Sequence, residues 1–153
     1  MVENINFYTL FTTFFECNVD KDNKQENENE NNDEIHKQCS LINNFLKRLA
    51  ENDILQNVCI EIVVIYAIIY LFYLFKKQQY EIKLIYPFFC ACFCISNKFL
   101  LDASYENKTF SHFSGISILQ FNNMEKYILN KINYKLHIPY DKIKKIINSI
   151  NSF

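Results

Sequence analysis

One glycine, Gly115, and two prolines, Pro87 and Pro139, leave this 153-residue chain very few backbone hinges. β-Sandwiches and barrels need turn residues about every 8–12 positions, and this chain cannot supply them. Phosphate cradles of the G-x-G-x-x-G or Walker type cannot be written with a single Gly. Helices joined by short polar loops remain. Hydrophobic residues make up 50% of the chain and aromatics 16%, enough to bury one core in one domain of ordinary size.

The apolar spacing places those helices. Leu41, Ile42, Phe45, Leu46 and Leu49 form one helical stripe, with Ser40 as the expected N-cap. Val58 to Phe75 is an apolar run whose only charge is Glu61, followed by Lys76 and Lys77. A third helix is expected from about Pro87 to Leu101, with Pro87 in its first turn. Its small residues Cys90, Ala91, Cys92, Cys94 and Ser96 suit close helix packing, and its all-round apolarity marks it as central. Asp102 to Gly115 reads as a loop with one short helix. Ser117 and Gln120 form a capping box ahead of a helix from Ile118 to about Tyr134, with Phe121, Met124, Ile128 and Ile132 on one face. After Pro139, Ile143, Ile146, Ile147 and Ile150 define a last amphipathic helix. Five main helices and one short one are expected, an all-α fold.

Ahead of them the chain changes character. Residues 20–36 read as an acidic, Asn-rich disordered linker, because a stretch such as DKDNKQENENENNDE has no apolar area to offset its ordering entropy. Residues 1–19 read as an aromatic arm whose Phe7, Phe11, Phe14 and Phe15 share a helical face suited to docking on the main domain. That arm has Glu3 and no Lys, unlike the basic start of a signal peptide. With six cysteines that do not form a disulfide pattern, the expectation is a reducing, intracellular setting.

The net charge of −1 hides a strong asymmetry: residues 20–34 carry seven acids against two lysines, while residues 35–153 carry 14 bases against eight acids. The 20 Asn and 21 Ile, with 15 Lys to one Arg, resemble the product of A/T-rich codons, so single Asn and Lys residues carry little functional weight. Lys126, Lys131, Lys135, Lys142, Lys144 and Lys145 make the C-terminal third basic, but without Arg they read as a solvated face and not as a nucleic-acid surface. Cys90, Cys92 and Cys94 are two apart, which on a helix points them in different directions, so buried thiols are expected and no metal or other cofactor. His36-x-x-Cys39 abuts the expected linker, and His112 and His137 are isolated in the sequence, so solvated or core-edge histidines are expected in place of ligands or a nucleophile. No carboxylate pair or nucleophile motif appears, so the expectation is a non-catalytic interaction module.

From Ser40 onward the chain resembles a cyclin box of the P/U, or phosphate-pathway, type. Lys98-Phe99-Leu100-Leu101-Asp102 stands for the end of the third box helix. Tyr105, Asn107 and Phe110 lie in the connection and Gly115-Ile116-Ser117 in the turn. Asn122, Met124, Glu125, Leu129, Ile132, Tyr134 and Leu136 follow the fifth-helix pattern. Phe45-Leu46-x-Arg48-Leu49 and Ala67-Ile68-Ile69-Tyr70-Leu71 resemble the first two helices. The chain departs from the family at Phe72-Tyr73, usually Asp-Arg, at Leu101, usually Asp, and at Ser114, usually Gly.

The resemblance implies a five-helix box over 37–153 and a regulatory subunit that binds and activates a cyclin-dependent protein kinase in the nucleus, the cytoplasm or both. Lys98 and Glu125 would reach the kinase near its αC helix, with Phe99, Leu101 and Asp102 beside them. Two other readings compete. One is a small membrane protein with spans near Val58–Phe75 and Leu84–Leu101, an apolar length that qualifies, though Glu61 and the absence of Gly count against it. The other is a cyclin-like scaffold without a kinase, as in two-box transcription factors that bind nucleic acid.

Overall fold

The computed structural model describes residues 6, 9, 11–13, 28–54 and 60–151. Among these there is no strand. From Glu28 onward six α-helices follow one another: α1 Glu28–Glu51, α2 Ile60–Lys77, α3 Ile85–Leu100, α4 Asn107–Ser114, α5 Ile118–Lys131 and α6 Tyr140–Asn151, with a short 3-10 turn, Ile82–Leu84, leading into α3.

α3 is the hub. It packs against α1, α2, α4 and α5, while α6 lies on α2. Every residue from Phe88 to Asn97 is buried, on all sides of the helix. The small side chains Cys90, Ala91, Cys92 and Cys94 have almost no exposed surface and let the neighbours close in. Larger rings fill the remaining space: Phe93 meets Phe45 of α1 edge-on at 5.8 Å and Phe110 of α4 at 6.0 Å. α2 contributes Val63, Val64, Ala67, Ile68, Leu71 and Leu74 to the same core.

This packing does not favour the membrane alternative. One stretch among the described residues, Ile82–Leu100, is long and apolar enough to cross a bilayer by length and composition, but 67% of it is buried inside the bundle. The apolar runs that resembled two spans cover each other and the remaining helices, so they have little surface left to offer lipid.

Two expectations about α1 are corrected. Ser40 is not an N-cap: it sits exposed in mid-helix. The helix also starts at Glu28, inside the stretch read as linker. Its upstream turns are secured by Ile35, 3% exposed, and by the buried Gln38. Gln38 Oε1 accepts the Tyr86 backbone N–H at 2.9 Å, and its Nε2 donates to Glu34 Oε1 at 2.7 Å. One anchored turn suffices for polar residues upstream to propagate the helix, because nucleation is the costly step. Further upstream, the arm's Phe11 is fully buried, its ring 5.6 Å from Phe72 of α2. Phe7, Phe14 and Phe15 lie outside the described residues.

The connections follow the sequence signals. α4 ends at Gly115 in the left-handed conformation, φ 73°. Ser117 then caps α5, its Oγ accepting the Gln120 N–H at 3.3 Å. α5 closes through Asn133 and Tyr134, both at positive φ, with Tyr134 N–H donating to Leu129 O at 2.9 Å. The buried Tyr70 holds the segment beyond by donating to Leu136 O at 2.6 Å. α6 lays Ile143, Ile146 and Ile147 against the core, while the Ile150 side chain falls outside the described residues.

Candidate functional site

The last turn of α3, the start of α4 and the middle of α5 converge on one polar cluster. Cys94 and Lys98 are four apart on α3, and Asn122 and Glu125 are three apart on α5, so each pair shares a helix face. Asn107 opens α4 between them. Lys98 Nζ meets Glu125 Oε1 at 2.5 Å. Asn107 Nδ2 donates to Glu125 Oε2 at 2.6 Å and to Asn122 Oδ1 at 2.8 Å. Cys94 Sγ donates to Asn107 Oδ1 at 3.3 Å.

The electrostatics fit this arrangement. Lys98 lies in the last turn of α3, where the helix dipole favours a cation. Its side chain is 35% exposed, against 14% for Glu125, so the pair stands at the rim of the bundle with the carboxylate recessed. Burial pushes the Cys94 thiol up to about 12; Lys98 pulls the other way and Glu125 reinforces the rise. The thiol is therefore protonated and able to donate.

The expected site residues are placed as follows. Lys98 and Glu125, 27 positions apart in the chain, are brought together. Phe99 is 42% exposed beside them and tilts against Tyr66 of α2 at 6.2 Å. Leu101 is only half-buried; it caps α3 in extended conformation, its N–H donating to Asn97 O at 3.1 Å. Asp102 is exposed in the following turn, and its side chain takes no hydrogen bond or ion pair among the described residues. The pattern of residues contained Asn107 and Asn122 without identifying them as part of the site. An Asn one position into a helix ordinarily reads as local turn or capping chemistry, and only the fold brings it against Glu125.

The other chemical candidates separate. Cys39 is in the core with its thiol pushed up to about 12 by burial, while His36 is exposed. Among the described residues no three His, Cys, Asp or Glu side chains gather as a metal site.

The sequence profile of the cyclins matches residues 18–136. The chain belongs to the cyclin family. The matched stretch contains α1 to α5 and hence every residue of the polar cluster; α6 lies beyond it. A segment of 54 residues of this cyclin is 41% identical to PHO85 cyclin-5 of Saccharomyces cerevisiae, covering 35% of this chain and 24% of that protein. The all-helical architecture of the described residues is that of a cyclin box. No solved structure matches the chain.

Proposed function

We propose that this cyclin is the regulatory subunit of a cyclin-dependent protein kinase, and that it grips the kinase at the rim where Lys98 and Glu125 meet. The observation that carries the reading is their ion pair across α3 and α5, partly open to solvent and next to the exposed ring of Phe99. The Lys98 ammonium has three donors and uses one on Glu125, leaving two for acceptors outside. Each Glu125 oxygen keeps a lone pair for a donor. Such charge-assisted bonds suit the unpaired backbone groups at the end of a partner helix. Phe99, the half-exposed part of Leu101 and the turn at Asp102 frame them with apolar and polar contact. Family membership and the relative named for PHO85 support the same partner class.

In this reading the chain contributes no catalytic group. It binds the kinase conformation in which the αC helix is turned inward, so the kinase Lys–Glu pair forms and the activation loop orders. The kinase population shifts by the difference in affinity for its two states. This regulation would take place in the nucleus, the cytoplasm or both.

A charge exchange, Lys98→Glu with Glu125→Lys, tests the reading. It keeps opposite charges together inside the cyclin, but Lys at 125 would set its ammonium against the Asn107 Nδ2 donor, so a circular-dichroism melt of the exchanged chain checks that it still folds. It inverts what a partner meets. Affinity capture from cells should recover a cyclin-dependent kinase with the unaltered chain and lose at least about 90% of it with the exchanged one, since ~1.4 kcal/mol is tenfold. Undiminished capture would sink the proposal.

A further inference from the structure

We infer that Asn107 is a positioning residue for kinase binding, setting the Glu125 carboxylate, and through it Lys98, in the orientation a partner meets. The inference rests on the reading above. A Glu side chain on a helix surface turns about three torsions, and ordering it on binding costs affinity. Here both oxygens are held before any partner arrives: Oε1 by Lys98 from α3, and Oε2 by Asn107 from α4. Two clamps from two other helices leave the carboxylate one orientation.

Asn107 is itself fixed. Both its N–H protons are used, on Glu125 and on Asn122, and its carbonyl accepts the Cys94 thiol. Turning the amide over would set Oδ1 against Glu125 Oε2, acceptor against acceptor. Asn107 also does no capping work for α4: the residue before it, Glu106, is in the N-cap position, without a side-chain cap bond. Its amide spans outward to α5 and α3, so the loop between α3 and α4 ends on the site.

The test uses the full chain, with PHO85 of Saccharomyces cerevisiae immobilised as the probe. It also follows the 15N signal of the Lys98 ammonium, which slow hydrogen exchange makes visible only while the ion pair is held. Asn107→Ala should weaken binding about tenfold, the loss of one hydrogen bond to a charged group. Asn107→Asp keeps the shape and the thiol contact but opposes two carboxylates, and should weaken binding further. In an Glu125→Ala background, Asn107→Ala should cost nothing more. The Lys98 ammonium signal should be sharp in the unaltered chain and broadened in both Asn107 variants.

The outcomes separate the two ideas. If Glu125→Ala weakens binding and neither Asn107 variant does, the positioning role is wrong and the kinase reading stands. Equal and additive losses in the double variant would make Asn107 structural only, which also overturns the role. If Glu125→Ala binds like the unaltered chain, or the unaltered chain does not bind, the kinase reading fails with this probe. The ammonium signal then decides the positioning alone, and an unchanged signal in Asn107→Asp overturns it.

Discussion

Asn97 immediately precedes Lys98, yet it has no exposed surface, and among the described residues neither its Nδ2 nor its Oδ1 has a hydrogen-bond partner. Successive helical residues are about 100° apart, so one step along α3 carries the side chain from the rim into the core. Nothing in the structure explains an amide there. A buried, unpaired polar group costs about 1–3 kcal/mol, whereas an apolar group of similar shape costs nothing of the kind. Asn97→Leu is therefore expected to raise the thermal midpoint by several degrees, in line with a gain of about 1–3 kcal/mol. A melt followed by circular dichroism reads this directly, and a lowered midpoint would mean the amide is satisfied in solution. At the same scale, residue types alone identified Lys98 and Glu125 only through the family pattern. Asn107 carried no signal in a chain with 20 asparagines, because its role depends on which carboxylate the fold puts within 2.6 Å of it.

Among the elements, legibility followed periodicity. α3 was readable from its composition, since a helix apolar on every side has nowhere to sit but the interior. The turn between α4 and α5 was readable from two residues, Gly115 and Ser117, each suited to one backbone job. Gly115 makes a clear prediction. An added Cβ there would meet nothing within 4 Å, so the cost of Gly115→Ala is the left-handed backbone alone, φ 73°. That strain amounts to about 1 kcal/mol. A urea titration should show the midpoint lowered with its slope unchanged; no change would mean the turn relaxes to another conformation. The start of α1 is not legible, for the opposite reason. Glu28 to Asp33 show no apolar period, and the helix there is propagated from Ile35 and from the Gln38–Tyr86 tie to α3, a contact 48 residues distant.

The whole molecule sets the chemistry of its thiols. Four cysteines, Cys39, Cys90, Cys92 and Cys94, are buried and free. Burial raises all four, Cys39 and Cys94 from 9.0 to about 12, and Cys90 and Cys92 still further. The unfolded chain ionises its thiols first as pH rises, so the folded state loses its advantage with increasing pH. The contribution of Cys39 and Cys94 is fully present below pH 9.0 and disappears between there and about 12. Thermal midpoints measured from pH 7 to 11 should be level to about 8.5 and then fall. Iodoacetamide at pH 8 should label none of these four positions until the chain is unfolded, which peptide mass mapping can check; rapid labelling of the native chain would contradict the packing.

The amino-acid sequence by itself determined that this is a helical bundle, because one glycine and helical apolar periods admit little else, and its family pattern set Lys98 and Glu125 apart. Tertiary structure alone decided that the long apolar runs face one another instead of lipid, that α1 reaches back to Glu28, and that Asn107 and Cys94 join the ion pair. The physical reason is the same in each case. Periodicity records which side of an element avoids water, but hydrogen bonds and burial depend on what other elements bring to that side, and those partners lie tens of residues away along the chain.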